Sequence, residues 1–191
     1  MSWGMKRDIP SIAKSVTNAI HHGVLVFASA SNVGANFRIT FPARLPRVFC
    51  IGSADGLGAQ SNFSPPFPGE EKYSTLGEGV SAAAAKSESH LPGYDAEKEE
   101  IRKDGTSVAA PIAAGIAALL ICYTRQFLPK GRGADTYENM RKLFLAMSEA
   151  TAGKDYRYLA VWDLFERDDP QTHIKKILIA PAGRSSLFSY N

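Results

Sequence analysis

The chain has 191 residues, enough for one domain of ordinary size to bury a core without disulfide or metal staples. Hydrophobic residues at 45%, charged residues at 21%, 16 glycines and 11 prolines exclude a disordered, collagenous or coiled-coil chain. The net charge of +3 is matched by Lys175, Lys176 and Arg184 in an acid-free C-terminal stretch and leaves no nucleic-acid footprint, while two cysteines, Cys50 and Cys122, exclude a disulfide framework or an all-cysteine zinc site.

Met1-Ser-Trp-Gly-Met-Lys-Arg puts charge where the apolar core of a signal peptide would begin, so a complete chain is expected to be cytoplasmic. From Ile9 to Ile20 the apolar positions Ile9, Ile12, Ala13, Val16, Ala19 and Ile20 recur at three and four, which predicts a helix that Pro10 starts and Gly23 stops. Val24-Leu-Val-Phe-Ala-Ser-Ala is a continuous β-forming run, the mark of a strand covered on both faces in a parallel sheet. Val48-Phe-Cys-Ile-Gly-Ser, after the turn between Pro42 and Pro46, predicts a second such strand, and Val80-Ser-Ala-Ala-Ala a third. The stretch 61–71 reads as a Pro-rich surface loop and 86–104 as a solvated, mixed-charge loop.

Beyond it, Val108-Ala-Ala-Pro-Ile-Ala-Ala-Gly-Ile-Ala-Ala-Leu-Leu predicts a helix apolar nearly all round, hence surrounded by protein, and the run to Tyr123 is too short for a membrane span. Cys50 in its strand and Cys122 in this helix are expected to be packed thiols. Further helices fit Tyr137–Met147 and Leu159–Phe165, and the end of the chain, with its β-like Ile177-Leu-Ile, reads as a basic tail or appended edge element over 170–191. Helices alternating with buried strands make the class α/β. Gly105-Thr106-Ser107 precedes the apolar helix, where helix amides favour negative charge; Ser107 is either a nucleophile or an ordinary N-cap on position alone.

The run Gly105-Thr-Ser-Val-Ala-Ala-Pro-Ile-Ala-Ala-Gly-Ile-Ala-Ala-Leu-Leu resembles the nucleophile motif of the subtilisin-like serine proteases (peptidase S8), Gly-Thr-Ser-x-Ala-(Ala/Ser)-Pro followed by an Ala/Gly-rich helix. Val24-Leu-Val-Phe-Ala-Ser-Ala-Ser-Asn32-Val-Gly34 resembles the family's segment ending in its oxyanion asparagine, Phe41-Pro-Ala its Tyr-Pro-Ala segment, and Met1-Ser-Trp-Gly4 its cleft-lining Met-Ser-Leu-Gly. The resemblance covers residues 1–169, as part of a catalytic domain. It implies a three-layer fold with a mostly parallel sheet between helices, lacking the N-terminal strands, and a serine endopeptidase acting through an acyl-enzyme on Ser107. Asn32 and the Ser107 N–H would hold the oxyanion. The substrate would be a peptide or protein pairing as a strand with Ser2, Trp3 and Gly4, with a side-chain pocket near Ala30, Ser31 and Thr106. No cofactor, metal, nucleic acid or membrane partner is expected, and no acidic cluster suggests calcium.

A serine hydroxyl needs a base, and the base an orienting carboxylate. Neither the family's Asp-(Ser/Thr)-Gly motif nor its His-Gly motif occurs here, so the resemblance places both upstream, in the missing N-terminal part of the same catalytic domain. His21 and His22 lie ten residues or more before Asn32, about 30 Å at strand rise, too far to serve Ser107. Two other readings follow: a truncated, inactive protease-like domain that binds a partner, and an α/β-hydrolase in which Ser107, Asp163 or Asp169, and His173 come in triad order but without the Gly-x-Ser-x-Gly elbow.

Overall fold

The computed structural model describes residues 1–34, 38–66, 72–148, 151 and 156–180. Helix α1 (Pro10–His21) has Pro10 in its first turn and ends in a Schellman turn: Gly23, at φ 81°, donates to the Ile20 carbonyl and Val24 to that of Ala19. The chain then enters β1 (Val26–Ser29), which pairs in parallel with β2 (Val48–Ala54) in the register Val26 to Val48. All seven residues of β2 are buried, as a strand covered on both faces requires.

The third parallel strand is β3 (Lys72–Leu76), paired with β2 in the register Cys50 to Lys72. The run Val80–Ala84 was expected to join this sheet; instead β4 (Val80–Ala83) pairs antiparallel with β6 (Glu100–Lys103), which also pairs with β5 (Tyr94–Asp95). The mixed-charge segment 86–104 is therefore not an open loop, although of β6 only Ile101 is buried. A two-residue strand, β7 (Arg157–Tyr158), completes the four-stranded parallel sheet in the order β1-β2-β3-β7.

Alternation along the strands sorts the core into two layers. Phe27, Phe49, Ile51 and Tyr73 face α2 (Thr106–Thr124) and α3 (Tyr137–Met147). Ala28, Val48 and Cys50 face Val16 of α1. On the first face Phe27 stacks on Phe49 at 5.0 Å between ring centroids, and Phe144 of α3 meets Phe49 and the edge of Tyr73 at 5.3 and 5.1 Å. This is the expected sheet between helices.

Helix α2 is longer than its sequence suggests. Its 19 residues, with a mean hydropathy of 1.9 over an 18-residue stretch, make it long and apolar enough to cross a bilayer, yet Ala109, Ala113, Ala117 and Leu120 pack into the sheet's core. Pro111, Gly115, Ala118, Leu119 and Cys122 are exposed, so one apolar stripe of the helix is bare and Cys122 is not the packed thiol expected. The segment after Phe165 is also revised. Two short helices follow β7, α4 (Trp162–Phe165) and α5 (Pro170–Ile179), and Ile177-Leu-Ile is the last turn of α5 rather than an edge strand. Asp169 caps α5 by accepting from the Thr172 N–H, and Ile174 and Leu178, four apart, bury one face against α3. Residues 181–191 of the expected tail lie outside the described residues.

Candidate active site

The parallel strands all end at one rim of the sheet, where α/β proteins gather their ligand-binding loops. Asn32 lies three residues beyond β1, and the loop it sits on is tied down by a hydrogen bond from the Gly34 N–H to the Phe63 carbonyl. Next to it, Ser61 Oγ bonds Ser53 Oγ and Ser64 Oγ accepts from the Ser53 N–H near the end of β2, so a buried hydroxyl network ties the loop that carries Phe63 to its own strand. Gly77, just after β3, accepts a 2.7 Å hydrogen bond from the Gly105 N–H. The turn that leads into α2 is thereby suspended from the rim.

Gly105 occupies the N-cap position of α2 with φ 139° and ψ 159°, a region that essentially only glycine adopts. Ser107 consequently sits inside the first helical turn. It is not the N-cap, which removes the bland account of this serine. A Cβ on Gly105 would lie 2.8 Å from Asn32 Nδ2 and 3.1 Å from Ser107 Oγ, so the amide nitrogen and the hydroxyl converge on one point.

The orientation of Asn32 follows from its partners. Thr106 donates to Asn32 Oδ1 twice, from its backbone N–H at 2.8 Å and its hydroxyl at 2.9 Å. A backbone N–H can only donate, so the atom it meets is the amide oxygen and Nδ2 is the end turned toward Gly105 and Ser107. The Ser107 N–H, one of the orphan donors of the helix start, has no acceptor among the described residues. Two donors therefore flank a half-buried hydroxyl at the positive end of a helix, an arrangement suited to negative charge.

Of the residues expected to meet substrate, Ser2, Trp3 and Gly4 are exposed beside this centre, with Trp3 44% accessible. Gly4 lies so close to Thr40 that a Cβ would collide with the threonine hydroxyl. Met1 extends the sheet: its amine donates to the Phe27 carbonyl and its carbonyl accepts from Ser29, the pattern of a parallel pair with β1. Ser31 is half-buried at the rim. Ala30 and Thr106 depart from expectation. Ala30 is fully buried in the α1-side core, and Thr106 is 1% exposed with its hydroxyl engaged by Asn32, so neither offers a surface to a substrate.

Sequence reasoning missed Thr40, whose N–H and hydroxyl both bond the Ala30 carbonyl beneath Gly4, and Gly77, whose only sequence cue is a neighbouring glycine. The hydrolase-like alternative gains nothing. Asp169 is engaged as a helix cap, His173 lies on α5, and α4 and α5 pack together with α3. No hydrogen bond joins Ser107 Oγ to a histidine among the described residues.

A family model described as the subtilase family, Peptidase_S8, matches residues 1–156. Among curated proteins, the chain is similar to alkaline serine exoprotease A of Vibrio alginolyticus, 27% identical over 167 residues, covering 81% of this chain and 29% of that protein. It is also similar to subtilisin BL of Lederbergia lenta, 30% identical over 120 residues, covering 63% of this chain and 40% of the relative. Among solved structures, the prenylagaramide maturation protease PagA superimposes with a TM-score of 0.69 at 21% identity, over 94% of this chain and 61% of that one. The chain thus spans less than two thirds of the length of each of these relatives.

Proposed function

The chain belongs to the subtilase family, and on that premise we propose that it supplies the acyl-forming half of a serine endopeptidase, with Ser107 as nucleophile and Asn32 Nδ2 and the Ser107 N–H as oxyanion donors. The observation that carries this reading is the pair of hydrogen bonds that Thr106 donates to Asn32 Oδ1, which fixes the amide so that its donor end faces the serine. Acyl transfer moves charge onto the scissile carbonyl oxygen only as the tetrahedral intermediate forms, and donors fixed in advance stabilise that charge without reorganising. Asn32 gains its rigidity from Thr106, so Thr106 supports the site from behind.

The substrate is a peptide in extended form. It pairs with the backbone of Ser2–Gly4 and seats a side chain near Ser31. The orienting Asp and the base His come from residues upstream of this chain. Two features support a seat for them: the exposed apolar stripe of α2, and an open cleft of about 550 Å³ lined by Met1, Val16, Leu25, Phe27, Pro111 and Ala114. Met1 already pairs in parallel with β1 at the edge of that cleft, so a strand running into Met1 would continue the sheet.

A fluorophosphonate probe tests the reading. A longer chain that carries the upstream Asp and His segment is expected to be labelled at Ser107, and the 191-residue chain alone to be labelled at background rate. Absence of label on Ser107 in the longer chain refutes the nucleophile. The second reading, an inactive domain that binds a partner through the bare α2 stripe, is favoured by the exposure of that stripe and predicts no label in either form.

A further inference from the structure

We propose that Ser2 is a positioning residue: its hydroxyl takes the carbonyl that Pro111 leaves without a helical donor, and so holds the Ser2–Gly4 segment in register against Ser107. In an α-helix the carbonyl of residue i accepts from the N–H of residue i+4. For Ser107 that partner is Pro111, which has no N–H. The Ser107 carbonyl would go unbonded in the first turns of α2, and Ser2 Oγ donates to it at 2.7 Å across 105 residues of sequence.

The rest of the segment is anchored elsewhere. Met1 bonds to Phe27 and Ser29 of β1, and Met5 exchanges two 2.9 Å backbone hydrogen bonds with Phe41. Among the described residues, the Ser2 hydroxyl makes the one hydrogen bond from residues 1–5 to α2. It therefore sets the spacing between the strand that would hold substrate and the helix that carries Ser107. Ser2 was expected from sequence to touch substrate; its side chain is committed to this bond, and its backbone is what remains for a peptide. The catalytic meaning of the bond rests on the nucleophile reading above, whereas the bond itself does not. A reacting carbonyl displaced by a fraction of an ångström loses near-attack geometry, so loosening this spacing should slow acylation.

Amide hydrogen exchange on the 191-residue chain tests the clamp. The reporters are the N–H groups of Ser29, Met5 and Phe41, which hold the segment, with those of Gly77 and Ser61, bonded to the Ala54 and Ser53 carbonyls, as references. Ser2→Ala is expected to speed exchange at the reporters by about three- to tenfold, the loss of one ordinary hydrogen bond, and Ser2→Thr to restore it. In the Pro111→Ala background the helix regains an N–H for Ser107, and the effect of Ser2→Ala should fall to less than half. Exchange unchanged by Ser2→Ala, or accelerated equally in both backgrounds, overturns the proposal. In the longer, probe-reactive chain Ser2→Ala should slow labelling of Ser107 and Ser2→Thr recover it; slowing that threonine does not recover also overturns the positioning role. If that chain is not labelled at all, the nucleophile reading fails and the exchange cycle still decides the clamp.

Discussion

Replacing Gly105 by alanine perturbs the candidate site through two separable physical effects. The backbone at φ 139° and ψ 159° is outside what an L-residue adopts, which costs about 1–3 kcal/mol. The new Cβ would also stand 2.8 Å from Asn32 Nδ2. Asn32 cannot yield freely, because Thr106 holds its Oδ1 with two hydrogen bonds, and giving up one costs about 1 kcal/mol. Together these amount to about 2–4 kcal/mol, a large part of the stability of an ordinary domain and roughly 5–15 °C in Tm for a chain of this size. Urea unfolding followed by circular dichroism should show a lower midpoint with an unchanged slope. The side-chain amide signals of Asn32 should move. Gly131→Ala is the control: its φ of 81° carries backbone strain, but nothing lies within 4 Å of its Cβ, so Asn32 should not respond. A Gly105→Ala protein with the wild-type midpoint and unmoved Asn32 amide signals would refute the geometry assigned to the site.

Thiol chemistry gives a second expectation. Burial pushes the Cys50 thiol up to about 12 against the opposing charge of Lys72, while Cys122 is exposed on α2, so a disulfide reagent near neutral pH should titrate one thiol in the folded protein and two in denaturant; a fast-reacting Cys50 would contradict the packing. A third concerns acid. Burial, aided by the Arg167 and Lys176 charges, holds His173 below its ordinary 6.5, so the unfolded chain takes up this proton first and stability falls as pH drops from 6.5. Asp169 acts in a lower window: the Thr172 N–H holds its carboxyl below 3.8, so its capping contribution persists above 3.8 and is lost as pH falls through the lowered value. Urea midpoints measured for His173→Gln should be flatter between neutrality and pH 5 than those of wild type, and parallel curves would remove His173 from the account.

The strongly periodic and continuously apolar segments were legible because one rule governs them. Helix α1 and helix α3 fall where the apolar spacing puts them, and β1 and β2 are recognisable as buried on both faces. Strand β3 was not legible, because Lys72-Tyr-Ser-Thr-Leu looks like a surface strand; its Ser74 and Thr75 are buried only because Thr75 Oγ1 bonds the Ala109 carbonyl and Ser74 Oγ reaches that of Arg157. The antiparallel hairpin within 86–104 hides behind its charge for a similar reason, since cross-strand pairing and not burial builds it. At the site, Ser107 and Asn32 could be named from their motifs. That Thr106 orients Asn32, and that Ser2 reaches the Ser107 carbonyl, depends on contacts between residues 74 and 105 positions apart, which local pattern does not encode.

The rim of the parallel sheet separates two kinds of variation. Strands β1, β2 and β3 are held by register and by two packed faces, so changes within them are felt as lost stability. The turn after β2 is organised by its own Asp55, which accepts from the Leu57 and Ala59 N–H groups and projects Leu57 into solvent at 95% exposure. Gly58, at φ 79° and with the Tyr158 ring 3.3 Å from where its Cβ would stand, fixes one side of this turn, while Gly56, with nothing within 4 Å of its Cβ, and the exposed Leu57 are open to change as Ser61 and Ser64 keep their bonds to Ser53. The rim therefore offers a place for new surface chemistry that leaves the strands' packing untouched, and a library diversified at residues 56 and 57 would sample that freedom directly.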